Sequence, residues 1–222
     1  MKKPVGRTGA FVAKVIEDGS VHGSYEQIEF TNSKSENEQL IADWFIEAMT
    51  QAAISVGDKP MFSNVKPNTE NHFDFTVSTT QGTAYLELQE VAPLSGPYKT
   101  ALSQYKPYDF AHYILSKIRE KSIKYSNSGI HDIFLLIYFT HWSFAPSTTT
   151  VACLRVWLQQ EQLIFKAIFL FTPLSWGEGV PSWLYPTPPE LRVGFDPESV
   201  RDTVCLNLDS EKFQMIHTIN EV

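Results

Sequence analysis

An acid and an amide stand two residues apart in the segment GTAYLELQEV, residues 82–91. In an extended strand Glu87 and Gln89 share one face, whereas the apolar residues between them face the other way. A third polar residue, Asp74, lies in the strand-like run HFDFTVS just before. Carboxylates that converge from neighbouring strands are the hard oxygen ligands that Mg²⁺ prefers. The pattern predicts either a divalent-cation site or the solvated face of an edge strand.

The elements that would position these residues follow from periodicity. The segment 35–54 has one apolar stripe and begins with Ser35 and Glu38 in the spacing of a capping box, which predicts a helix. The later predicted elements are strands at 72–78 and 83–91, a helix at 108–125, a strand at 133–141, a helix from Thr148 and a strand at 163–171. The order predicts an α/β sandwich with a mixed sheet.

This order, helix, strands, helix, strand, resembles the α-β-β-β-α-β core of the restriction-endonuclease-like fold. Residues 35–171 resemble a PD-(D/E)XK nuclease core, which carries an acid on one strand and an acid-x-lysine triplet on the next. Here Asp74 fills the first place and Glu87-Leu88-Gln89 fills the second. Glu38 resembles the acid that the first helix of many members contributes. The run from Lys117 through Lys121 to Tyr125 resembles the basic second helix of some members.

The resemblance implies a Mg²⁺- or Mn²⁺-dependent nuclease that acts on nucleic-acid phosphodiesters. Asp74 and Glu87 would bind the metal, Gln89 would position water, and Glu38 would add a further carboxylate. The side chains of Lys117 and Lys121 would meet phosphates. A divalent cation suits this chemistry because it neutralises the phosphate and sharpens a water into hydroxide.

Gln89 departs from the family pattern, because an amide has no charge and cannot act as a base. A lysine from elsewhere, Lys99, Lys117 or Lys121, could supply the missing cation. Two alternatives follow from the departure. The chain could be a catalytically inactive member of the same fold that serves as an interaction or assembly module, with a homodimer or a partner contact, or an unrelated α/β protein with surface acids.

Composition sets the outer limits. The chain has 222 residues and a formal net charge of −7, so it lacks a strongly basic nucleic-acid footprint. Residues 99–125 nevertheless carry six basic side chains against two acidic ones. Two isolated cysteines, no apolar run of signal-peptide type and no stretch of membrane-spanning length predict a cytoplasmic protein without a membrane partner. One domain is expected, with an N-terminal β-type extension (1–34), the core (35–171) and a Pro- and aromatic-rich appendage (172–222).

Overall fold

The computed structural model describes residues 7–15, 20–70, 72–92, 104–191 and 194–206. Three helices lie in these ranges: α1 (Lys34–Ser55), α2 (Pro107–Tyr125) and α3 (Thr148–Leu158). The strands are β1 (Arg7–Val15), β2 (Val21–Glu29), β3 (Phe62–Pro67), β4 (Phe75–Thr79), β5 (Gly82–Glu90), β6 (Gln104–Tyr105), β7 (Ile133–Tyr138), β8 (Ala167–Ser175), β9 (Glu178–Tyr185) and β10 (Cys205–Leu206). No helix in these ranges is long and apolar enough to cross a bilayer.

The main sheet has six strands in the order β3-β4-β5-β7-β8-β9. The first three form an antiparallel meander, and a two-residue turn joins β4 to β5. The strands β5, β7 and β8 are parallel, with α2 and α3 in the two connections, as parallel pairing requires. The strand β9 closes the order antiparallel to β8. The predicted mixed α/β sandwich is therefore confirmed.

Helices cover both faces of the sheet. The strand β7 is buried along all six residues, as expected for a strand with packing on each side. Ile133, Leu135 and Ile137 belong to the core that contains α2 and α3. Phe134, Leu136 and Tyr138 belong to the core that contains α1. The odd residues of β5, including Tyr85, contact the α2 side, whereas Leu86 and Leu88 contact the α1 side.

Two smaller β-ladders accompany the main sheet. The strands β1 and β2 form an antiparallel hairpin within the segment 1–34. The strands β6 and β10 pair over two residues. The cysteines Cys153 and Cys205 are free.

Several local predictions are wrong. The cap of α1 is Ser33, whose side chain accepts from the backbone N–H of Glu36, so Ser35 and Glu38 do not form the capping box. The sequence offers the same S-x-x-E spacing twice, two residues apart, and the helix uses the first. In the same way Ser147, not a threonine, caps α3.

The sheet is also larger than the sequence predicts. The strand β3 falls in residues 55–71, for which the sequence predicts no element; its polar residues and a bulge between Ser63 and Lys66 mask the alternation. The strand β4 begins at Phe75, three residues later than expected, so that Asp74 stands just before it. The strand β8 begins within the predicted strand 163–171 and continues to Ser175, and β9 is an eight-residue strand within the Pro- and aromatic-rich segment 172–222. Lys99 lies outside the described residues.

Candidate functional site: a buried glutamate held by the second helix

Glu87 lies in the middle of β5 with its side chain turned towards α2, and only 1% of it is exposed. Two α2 side chains, one turn apart, meet its Oε1. The Lys121 ammonium forms a hydrogen-bonded ion pair with this oxygen. The Tyr125 hydroxyl lies 2.7 Å from it. Because residues i and i+4 share one face of a helix, α2 presents both groups together.

Tyr125 is held in place from several sides. Its ring packs against Phe73 with centroids 4.5 Å apart, and Phe73 in turn contacts Tyr85. Its hydroxyl also lies 3.1 Å from the carbonyl of His72 and accepts a hydrogen bond of 2.6 Å from Lys124. Burial and the neighbouring Glu87 raise the pKa of this hydroxyl above its ordinary value. Tyr125 is therefore a neutral donor to a carboxylate.

The second oxygen of Glu87 has no partner. Among the described residues, Oε2 is buried and makes no hydrogen bond. A buried carboxylate oxygen without a partner costs about 1–3 kcal/mol or more, so native structures usually satisfy it with water, a proton or a metal ion. Oε2 is thus the one atom of this carboxylate open to a further ligand.

Asp74 directly precedes β4 and is bound to the backbone of β5. The ladder between β4 and β5 ends with the pair Phe75 and Leu86, and one more step in the same register would pair Asp74 with Glu87. Beyond the end of the ladder, Oδ2 of Asp74 accepts a hydrogen bond of 2.8 Å from the backbone N–H of Leu88. The side chain of Asp74 therefore replaces the missing strand partner and is fixed against β5.

The charge of Asp74 acts on two other carboxylates. Burial, followed by the charge of Asp74, raises the pKa of Glu87. The same two causes in the same order raise the pKa of Glu38, which lies on α1. Asp74 is therefore the acid whose charge acts both on Glu38, on α1, and on Glu87, on β5.

Glu38 is buried and not part of the helix cap. Its Oε1 lies 3.2 Å from Lys34 Nζ, one turn earlier on α1. Burial lowers the pKa of Lys34, but the charges of Glu38, Asp74 and Glu87 outweigh it and raise that pKa. Burial and the charges of Glu90 and Glu38 raise the pKa of the Tyr138 hydroxyl on β7. Lys34 thus adds a second cation beside the three acids.

The remaining predicted site residues lie nearby but have other partners. The Nε2 atom of Gln89 donates a hydrogen bond of 2.8 Å to the carbonyl of Glu90, so this amide is engaged with its own strand. Lys117 pairs with Glu120 on α2 at 2.8 Å. The structure therefore joins Glu87 and Lys121 by direct contact, and the charge of Asp74 acts on Glu87 and on Glu38. Among the described residues, Gln89 and Lys117 have the other partners just given.

Two observations bear on whether a metal ion fits this site, the first against it and the second in its favour. Within the described parts of the chain, no three His, Cys, Asp or Glu side chains are arranged to hold a metal ion. In contrast, Oε2 of Glu87 is a buried carboxylate oxygen without a hydrogen-bond partner among the described residues, and the charge of a second carboxylate, Asp74, acts on Glu87. The donors present suit a Mg²⁺ or Mn²⁺ ion held by two carboxylates and otherwise by water.

No protein-family model, curated protein or solved structure matches this chain. The resemblance to PD-(D/E)XK nucleases therefore stays a prediction from the residues. The geometry adds three residues that the sequence did not assign a role at the site: Lys34, Tyr125 and Tyr138. The spacing of Lys121 and Tyr125 is a signal for the second of these, because it puts both on one helix face.

Proposed function

We propose that this chain is a divergent restriction-endonuclease-like protein that hydrolyses nucleic-acid phosphodiesters with Mg²⁺ or Mn²⁺ at Asp74 and Glu87. The topology supports the proposal. The helix α1, the antiparallel meander β3-β4-β5, the helix α2 and the strand β7 parallel to β5 follow the α-β-β-β-α-β order. The two acids lie at the entry of the second of these strands and in the third.

The contact between Lys121 and Glu87 carries the proposal. The strand position that holds lysine in the family pattern is Gln89 here, and a helix lysine reaches the strand acid instead. A lysine at this carboxylate can orient an attacking water and stabilise the negative charge that develops on the phosphate. The charge that the family pattern places on the strand would thus come from the helix in this chain.

The residues divide into roles. Asp74 and Glu87, through its free Oε2, would hold the cation, which supplies phosphate neutralisation and a more acidic water when bound. Lys121 would position that water. Glu38, with Lys34, would support the Asp74 side through its charge. Lys117 would contact the backbone of the nucleic acid, exchanging Glu120 for a phosphate.

Cleavage assays test the proposal. Single- and double-stranded DNA and RNA are incubated with purified protein and Mg²⁺ or Mn²⁺, with chelator as the blank. Asp74→Asn keeps an acceptor for Leu88 N–H and removes the charge, and we expect a loss of about 10²-fold or more in rate. Glu120→Gln, on the exposed face of α2, is the matched control and should keep its activity. Cleavage that survives Asp74→Asn or needs no divalent cation would refute the proposal.

A second function is favoured by one observation, the ion pair itself. Lys121 already neutralises the charge of Glu87, as in an ion pair whose role is structural. The chain would then be an inactive member of this fold and an assembly module. The indole of Trp176, 64% exposed at the turn between β8 and β9, is a candidate contact for a second copy or a partner. Absence of Mn²⁺ binding in calorimetry, together with a stable dimer in sedimentation, would select this function.

A further inference from the structure

A groove lies along α3, and its described lining contains neither Asp74 nor Glu87. Its floor is built from one stripe of the helix, and residues after β9 form the facing wall. The principal lining side chains are Thr149, Ala152, Arg155 and Gln159 on the helix and Leu191 and Phe195 on the wall. The cavity has a volume of about 590 Å³. This volume lies in the range of sites for small molecules.

Arg155 is the only charged side chain among the residues that line this groove in the described parts of the chain. Its Nε donates a hydrogen bond of 3.0 Å to the carbonyl of Trp183. This bond fixes the guanidinium plane and uses one of its five N–H donors. No described carboxylate pairs with Arg155, and burial lowers the pKa of its guanidinium without an opposing acidic charge.

Two other arginines of the described chain differ from Arg155, because each pairs with an acidic side chain. Arg119 forms two hydrogen bonds to Glu161. Arg201 pairs with Glu198 at 3.3 Å. Both side chains are more exposed to solvent than that of Arg155, so their charges lose less hydration and depend less on an acidic partner. A half-buried cation beside a cavity, held by a single neutral contact, costs free energy unless an anion meets it.

The wall opposite α3 is held in position. Gln159 Nε2 donates a hydrogen bond of 3.0 Å to Thr187 Oγ1, and the Thr187 hydroxyl lies 3.0 Å from the carbonyl of Leu184. The helix itself is fixed against the core by Leu154 and Leu158. The groove therefore lies between a helix packed on the core and a segment hydrogen-bonded to that helix at Thr187, and the described lining is largely apolar with one hydrogen-bonded cation.

We propose that this groove binds a small, largely apolar molecule that carries one oxyanion, a carboxylate or a phosphate, which the Arg155 guanidinium contacts. The apolar body lies over Ala152, Leu191 and Phe195, and the free N–H groups of the guanidinium take the two oxygens side by side. The site is separate from the proposed phosphodiesterase site and does not depend on it.

Matched probes test this site. We titrate the protein with 1-naphthoate, 1-naphthyl phosphate and neutral 1-naphthol, using ligand-observed NMR. The wild type should bind at least one of the two anions about tenfold or more tightly than naphthol, because a hydrogen-bonded charge contributes that much. The better of the two anions identifies carboxylate or phosphate as the natural group. Arg155→Gln should remove the preference and leave the binding of naphthol unchanged.

Controls separate this result from general charge effects. Arg119→Gln removes the same charge from a surface pair and should bind the anions like the wild type. Asp74→Asn should also bind naphthyl phosphate normally, since it alters the other site. If Arg155→Gln does not fold, the salt dependence of the wild type decides: added salt should weaken the anions and not naphthol. Equal binding of all three probes, no binding of either anion, or equal losses in Arg119→Gln and Arg155→Gln would overturn the proposal.

Discussion

Lys121, on α2, forms an ion pair with the buried carboxylate of Glu87, on β5, across 34 positions of sequence. The pair joins the helix that covers one face of the sheet to the strand at its centre. Tyr125 completes the contact from the next helical turn. The pair ties α2 to β5, and in the function proposed above it would supply the lysine that the strand lacks.

Removal of Lys121 should destabilise the fold strongly. Lys121→Met leaves Glu87 buried with an uncompensated charge, and breaking a buried pair in this way costs about 3–5 kcal/mol in the free energy of unfolding. Urea denaturation measures the loss. Lys117→Met is the matched control on the same helix, because its pair with Glu120 is solvent-exposed and should contribute about 0–1 kcal/mol.

Removing both partners should restore much of that loss. In Glu87→Met with Lys121→Met no charge remains to be buried, so the double variant should be more stable than Lys121→Met alone. Equal stability of Lys121→Met and Lys117→Met would show that Glu87 is satisfied by other groups, and the tie between α2 and β5 would be refuted.

Tyr125→Phe should have an intermediate effect. The variant keeps the ring contact with Phe73 and deletes the hydroxyl that serves Glu87 and the His72 carbonyl. Loss of a hydrogen bond to a charged, buried acceptor corresponds to about 1–3 kcal/mol in the free energy of unfolding. Tyr108→Phe, which removes an exposed bond to Glu198, is the control and should lose less. A Tyr125→Phe variant as stable as the wild type contradicts the role assigned to the hydroxyl.

The buried Glu38 should make stability fall as pH rises above the ordinary glutamate value of 4.5. Its pKa is raised in the folded state, by burial and then by Asp74, so the folded chain keeps a proton that the unfolded chain releases. Between the two pKa values the folded state binds more protons, and the free energy of unfolding decreases with increasing pH.

Glu38→Gln should remove this part of the slope when unfolding is measured as a function of pH. Asp74→Asn should reduce it in part, because it removes one of the two causes of the raised pKa. A wild-type slope that Glu38→Gln leaves unchanged, or one of opposite sign, would mean that Glu38 is not buried as a coupled acid.

The sequence predicts those elements whose signal is local. The apolar stripe of α1, the alternation of β5 and the continuous apolar run of β7 each specify their element, and the structure confirms them. The strand β3 is not predicted from the sequence, because it is short, polar and interrupted by a bulge. The N-cap at Ser33 is not predicted, because two serines have the same S-x-x-E spacing. Only the packing of the chain that enters the helix selects one of them.

The candidate site divides in the same way. Asp74 and Glu87 are found from alternation and from the order of two neighbouring strands. Which lysine contacts Glu87 depends on tertiary packing. Lys117 and Lys121 lie one turn apart on the same helix, and only the turn with Lys121 faces β5. The S-x-x-E spacing predicts that Glu38 is a capping residue. The structure instead buries Glu38 beside Lys34, which the spacing does not predict.

The location of a bound Mn²⁺ ion tests the central claim most directly. Crystals grown with Mn²⁺ are measured for anomalous scattering at the site between β4 and β5. We expect one peak bound by Asp74 and by Oε2 of Glu87, with Lys121 still at Oε1, and no peak there in Asp74→Asn. Occupied Mn²⁺ sites elsewhere, with none at these two carboxylates, would contradict it.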